Sequence, residues 1–261
     1  MTAQDIISAL GLPDSCRVDQ RVPKKLLVEN GAPTAADKRQ INDDVEEIQW
    51  VAALKPNTIG VAEYRDDVRE YMEIAVLTVT LRGSLKEGDV KPAKAARIKE
   101  LVHRAVPYPV LLLLTSGQSV TLSLAHKRWA QNEAGKVVLD GDVVSVALPD
   151  DAPSAVTLSA FTQALALTSQ PQATLFGLYQ GWMDSVQALL AARLTGTFKA
   201  ADSPEQAAVR RQALQEYARL ELEATRLRTQ AAKEKQLARQ VELNLALKRV
   251  QAQLAAARQQ L

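Results

Sequence analysis

From Ser203 to Leu261 the chain contains no glycine, and its only proline is Pro204. The segment is rich in Ala, Gln, Leu, Arg and Glu, all strong helix formers. Ser203 stands where an N-cap belongs, Pro204 suits the first helical position, and Gln206 follows three residues after Ser203 as in a capping box. An uninterrupted helix from here to the C-terminus would be roughly 85 Å long at 1.5 Å per residue. That length predicts a coiled coil or an extended arm rather than an ordinary core helix.

A heptad reading supports the arm. Ala213, Tyr217, Leu220, Ala224, Leu227, Ala231, Glu234, Ala238, Val241 and Leu245 follow alternating steps of four and three. Leu247, Val250, Leu254, Ala257 and Leu261 follow the same steps on a shifted frame, so the seam slips near Asn244, which implies a local change of supercoil. The seam is thin, with many alanines and one charge, and suits packing on a partner helix better than a self-sufficient dimer. The expected partner-helix interface is Leu220, Leu227, Val241, Asn244, Leu245, Leu247, Val250 and Leu254. In a dimer, Asn244 either faces its mate and sets register or stays in solvent.

Charge divides the chain at the same place. The arm holds 11 Lys/Arg and 6 Asp/Glu, whereas the first 202 residues hold 21 and 24, so a total of +2 conceals a basic arm on a mildly acidic body. The body reads as an α+β domain: a helix-covered mixed β-sheet over 1–152, a helical bridge over 153–202, and then the long C-terminal helix over 203–261. Thr34-x-x-Asp37 opens a helix, and Ile41, Val45, Ile48 and Ala52 carry its apolar face to about Leu54. Thr58–Ala62 and Tyr71–Leu81 are expected strands, the second dense in β-branched residues. After a turn-rich link over Arg82–Asp89, Pro92 opens a helix to Ala105. Pro109–Thr115 and Ser119–Ala125 form strands around Ser116-Gly117. Asn132–Lys136 turns the chain, Val137–Leu148 adds one or two strands, Asp150–Pro153 marks a boundary, and helices follow over Leu158–Leu167 and Leu175–Leu194.

Several kinds of chemistry drop out. One cysteine, Cys16, makes no internal disulfide, and with two histidines, His103 and His126, it cannot complete a Cys₄ or Cys₂His₂ zinc site. No G-x-S-x-G, G-x-x-x-x-G-K-[ST] or G-x-G-x-x-G motif occurs. His103 is read on the polar face of its helix beside Arg104, and His126 at a strand end. Neither sits in a nucleophile elbow. Glu73 with Asp66 or Asp67 could serve a metal-dependent nuclease, but Ala75 stands where such enzymes carry a lysine. No catalytic residue, metal site or cofactor site is therefore expected. No signal peptide is apparent, and the longest apolar run, Val106–Leu114, falls far short of the ~20 residues that span a bilayer. The reading is a cytoplasmic protein with no membrane partner.

Three basic groups could meet nucleic acid: Arg21, Lys24 and Lys25 around Val22-Pro23; Lys91, Lys94, Arg97, Lys99 and Arg104 along one helix; and Lys127-Arg128 beside Trp129, whose ring could stack a base. Of these, Arg21, Lys24, Lys25, Lys94, Arg97, Lys127 and Trp129 are the leading candidates.

Four segments carry a resemblance: Arg21-Val22-Pro23-Lys24-Lys25-Leu26; Glu47-Ile48-Gln49-Trp50 with Leu54-Lys55-Pro56-Asn57-Thr58-Ile59; Ala105-Val106-Pro107-Tyr108-Pro109-Val110 with Leu122-Ser123-Leu124-Ala125-His126-Lys127; and Lys233-Glu234-Lys235-Gln236-Leu237 with Val241-Glu242-Leu243-Asn244. Together they resemble a bacterial family with a domain of unknown function, encoded beside DNA methyltransferases and superfamily 2 helicases of restriction-like phage-defence clusters. The resemblance implies a partner context, a helicase and/or DNA methyltransferase subunit, and no reaction. The expectation is a non-catalytic accessory subunit that assembles through its C-terminal helix, with a homodimer through that helix as a further expectation. A DNA-binding adaptor and a divergent metal nuclease are the alternatives.

Overall fold

The computed structural model describes residues 1–83, 92–131, 133, 135–148 and 154–261. The expected boundary over Asp150–Pro153, Lys91, and parts of the expected Arg82–Asp89 link and Asn132–Lys136 turn lie outside them. The chain falls into two compact units, Met1–Val186 and Gln187–Leu261.

The first unit is built on one mixed sheet. Its strands are β1 (Arg17–Arg21), β2 (Val45–Leu54), β5 (Ile74–Leu81), β6 (Val110–Ser116), β7 (Ser119–Trp129) and β8 (Val137–Leu148), hydrogen-bonded in the order β1-β2-β5-β6-β7-β8. A separate two-stranded ribbon pairs β3 (Tyr64–Arg65) with β4 (Glu70–Tyr71). Only β5 and β6 run parallel, joined by the crossover helix α5 (Pro92–Ala105); the other neighbours in the sheet are antiparallel. A parallel pair needs such a crossover and is buried on both faces, so both strands read as near-continuous apolar runs.

On one face, α2 (Lys24–Gly31), α3 (Ala35–Asp44) and α5 pack Leu27, Ile41, Ile98, Leu101 and Val102 against Val45, Ile48, Ala75, Leu77, Val79, Val110 and Leu112. Residues of opposite parity, Ile74, Val76, Leu111 and Leu113, are buried as well. There α1 (Ala3–Ala9) touches β6 and α6 (Ala155–Ala164), while Tyr179 of α7 (Leu175–Thr195) donates to Val110 O and accepts from Ala125 N–H. Each fully buried Leu, Val or Ile contributes about 1.5–3 kcal/mol of transfer free energy. Gly31 lets α2 approach α5, since a Cβ there would lie 2.6 Å from Ala105 Cβ.

Three expectations in the body need correction. The helix opened by Thr34 is present, its hydroxyl accepting from Asp37 N–H, but it ends at Asp44, and Val45–Leu54 is a strand. The helical spacing was misleading because β2 has a register shift between Val45 and Glu47. The bulge inserts one residue and puts Val45 and Ile48, three apart, into the same core. The expected strand at Thr58–Ala62 is instead a helical turn, α4 (Pro56–Ile59). Pro56 starts it, Thr58 Oγ1 accepts from Lys55 N–H, and Gly60 closes it with φ of +73°. Tyr71–Leu81 also divides, its first residue pairing in the ribbon.

The second unit is helical. Ser203 accepts from Gln206 N–H and Pro204 begins α8 (Pro204–Lys233), as the sequence predicts. This long helix spans 30 residues. It then breaks at Glu234–Gln236, and α9 (Leu237–Arg258) folds back so that Leu220, Ala224 and Leu227 pack with Val250 and Ala257. The uninterrupted arm is thus corrected to a helical hairpin. Glu234 explains the break physically. It falls on the seam, where a carboxylate cannot be buried unpaired. In extended conformation its Oε1 accepts from Lys235 N–H and Gln236 N–H, the last two residues before α9 begins. No helix among the described residues is long and apolar enough to cross a membrane.

Candidate functional site

The hairpin sorts the expected interface residues into two sets. Leu220, Leu227 and Val250 are buried between α8 and α9, and Leu247 and Leu254 are packed against the same cluster. Val241 and Leu245 are 50% and 54% exposed, and Leu237, one turn earlier, is 76% exposed. Residues 237, 241 and 245 lie at i, i+4 and i+8, so they form one stripe. Val241 is nine residues from Val250, half a turn round the helix at 100° per residue, so the stripe faces away from α8. Asn244 is exposed beside it. The frame slip near Asn244 is therefore the change from an outward-facing set to a set facing α8. Sequence reasoning missed Leu237, because the heptad frame steps from Glu234 to Ala238 and passes over it.

Most of the basic candidates are engaged within the fold. Lys24 Nζ donates to Val45 O, and Lys94 pairs with Asp44 at 3.3 Å. Arg97 grips Asp37 with two bonds of 2.8 and 3.0 Å and also meets Glu100 at 2.8 Å. That guanidinium, helped by Thr34, holds the Asp37 carboxyl well below the usual carboxylate range. Lys127 is only 2% exposed, and its ammonium donates to His103 O and Val106 O at the end of α5. These four are occupied within the fold, and Lys127 in particular is an internal cap of a helix C-terminus rather than a surface phosphate contact. Arg21 and Lys25 stay open, each beside a carboxylate at 3.6 Å, Glu47 and Glu29. Trp129 is half-buried, its backbone N–H donating to Val68 O.

Both histidines are internal too, which corrects the polar-face placement of His103. It is fully buried, and its Nε2 lies 2.9 Å from Ser123 Oγ. A Ser–His pair invites a nucleophile reading, but both side chains are sealed from solvent and burial pushes the imidazole down to about 3. It stays neutral at pH 7 with no path for a substrate. His126 lies within β7 rather than at its end. Gln180 Nε2 donates to Asp184, leaving Gln180 Oε1 to accept from His126 Nε2–H, so His126 Nδ1 accepts from the Tyr71 hydroxyl. Phe176 packs on His126, Tyr71 and Tyr64, with Arg69 over its ring. The network ties α7 to β7 and to the ribbon.

Glu73 turns to Lys55 at 3.1 Å, while Asp66 accepts from Tyr64 Oη and from Val68 and Arg69 N–H. Among the described residues no group of three or more His, Cys, Asp or Glu is placed to hold a metal ion.

One concavity lies between β2, α2 and the turn from α5 to β6. It is an open cleft of about 380 Å³. Leu27, Ile48, Ala75, Leu77 and Val102 supply buried walls, and Trp50 and Tyr108 are its aromatic lining residues. Arg21, Gln20 and Asn30 are its charged and polar members. Three of the four segments that carry the family resemblance converge here, Arg21–Leu26, the stretch ending at Trp50, and Ala105–Tyr108. No periodic pattern announces such a cleft in sequence.

The family described as "Domain of unknown function (DUF4391)" has a model that matches residues 10–254. No curated protein and no solved structure matches the chain.

Proposed function

This chain belongs to the DUF4391 family, and from that membership we propose that it is a non-catalytic accessory subunit of a bacterial antiviral helicase–methyltransferase assembly. The C-terminal hairpin makes the protein–protein contact, with a partner helix lying along Leu237, Val241 and Leu245. The stripe is the observation that supports this reading. A single exposed leucine is ordinary, but apolar anchors at i, i+4 and i+8 on one face are how an amphipathic helix engages a groove or another helix. The helicase or methyltransferase identity of the partner rests on the family resemblance carried by the four segments.

The test is co-purification of the full chain with the helicase and the methyltransferase encoded beside it. The Val241→Asp/Leu245→Asp variant is expected to lose the partner while keeping its helix content, since exposed substitutions shift stability by only about 0.5 kcal/mol. If the variant captures the partner as well as the wild type does, the stripe is not the contact. A DNA-binding adaptor is the second reading, and Arg21 and Lys25, whose head groups stay open, favour it. Affinity for duplex DNA that does not change with salt would remove it.

A further inference from the structure

The cleft beside Trp50 and Tyr108 is lined by residues of the sheet unit alone. We propose that it binds a small aromatic monoanion, a flat apolar ring system bearing one carboxylate or sulfonate. Its volume, about 380 Å³, is that of a pocket for a small organic molecule. The space exists because β5 and α5 both present alanine there, Ala75 and Ala105, beside the larger Leu77 and Val102. Apolar walls around such a gap lose dispersion contacts that a ligand restores. Trp50 and Tyr108 both line the cleft and keep part of their surface in solvent, so aromatic side chains are at hand for another ring.

The electrostatics select the sign of the ligand. Among the described residues that line the cleft, Arg21 is the one that is charged, and none is a carboxylate. Its own partner, Glu47, sits at 3.6 Å in an exposed pair, which is weak and readily exchanged. Gln20 and Asn30 add amide groups. The remaining lining is apolar, so a polar ring such as a nucleobase would leave most of its edge unpaired.

The experiment titrates the full chain with 8-anilinonaphthalene-1-sulfonate, following its emission, and then displaces it with 2-naphthoate. One site per chain is expected. Ala75→Leu grows a side chain into the floor and is expected to weaken 2-naphthoate about tenfold or more. Arg21→Gln is expected to weaken 2-naphthoate roughly tenfold and to leave uncharged 2-naphthol unchanged. Val241→Asp/Leu245→Asp is expected to bind as the wild type does, so failure here and failure of the assembly reading are distinguishable. If Ala75→Leu does not fold, Tyr108→Ala replaces it, with the same expected loss. Wild-type affinity in the floor variant that folds, or an Arg21→Gln affinity for 2-naphthoate equal to the wild type's, overturns the proposal. So does loss of binding in the stripe variant.

Discussion

Lys127 and His103 show how single residues in this fold carry penalties of burial that pH can expose. Burial pushes the Lys127 ammonium down to about 7, against about 10.4 in an unfolded chain. Between those values the unfolded chain holds the extra proton, so stability rises with pH. The urea midpoint of the wild type is therefore expected to rise relative to that of Lys127→Met between pH 7 and 9.5; a flat or falling difference would refute the assignment. His103 acts on the acid side. Its folded imidazole titrates near 3, for burial first and then for the nearby Lys127 and Lys99 charges, whereas an unfolded histidine titrates near 6.5. Stability is lost as pH falls from 6.5 toward 3, by about 1.4 kcal/mol per unit. The wild type is expected to lose more midpoint between pH 6.5 and 4.5 than His103→Gln does. Neither burial was legible from local sequence. Lys127-Arg128-Trp129 looks like a surface cluster, yet Lys127 shares strand parity with Ser123, which faces His103. The carbonyls at the end of α5 needed a donor, and that need lies in another segment of the chain.

At the level of elements, caps and crossovers were readable and bulges were not. Thr34, Ser203 and Pro92 mark helix starts by local chemistry, and the structure keeps all three. The bulge in β2 mimicked a helical period because the extra residue is a property of pairing with β5, absent from the strand's own sequence. The break at Glu234 is similar, since Lys233-Glu234-Lys235-Gln236 holds no glycine or proline and favours helix locally. The slipped heptad frame was the one visible trace of the hairpin. Leucines two residues apart on α8 test it. Leu220 is 1% exposed and Leu222 is 74% exposed. Leu220→Ala is expected to cost about 2–5 kcal/mol and Leu222→Ala less than about 0.5 kcal/mol, read from thermal melts by far-UV circular dichroism. Equal losses would favour a different packing of the two helices.

The whole molecule consists of a sheet unit that holds every tryptophan and a helical unit that holds none, since Trp50, Trp129 and Trp182 all precede Val186. Tryptophan emission thus reports the sheet unit. Leu220→Asp is expected to lower far-UV ellipticity while leaving the emission maximum where it is in the wild type; a red shift would show that the sheet unit had opened too. The division of charge between body and arm was legible in composition. The cleft was not, because it requires segments near residues 21, 50, 75 and 105 to meet, and only the β5–α5–β6 crossover with α2 above it brings them together. The order of these units along the chain has a consequence in time. During synthesis Val186 leaves the ribosome well before Leu245, and roughly 60 residues at ~5–20 per second separate them by about 3–12 s. The sheet has that interval to fold before the outward stripe of α9 exists, so a truncated or stalled chain would lack the stripe that the proposed assembly role requires.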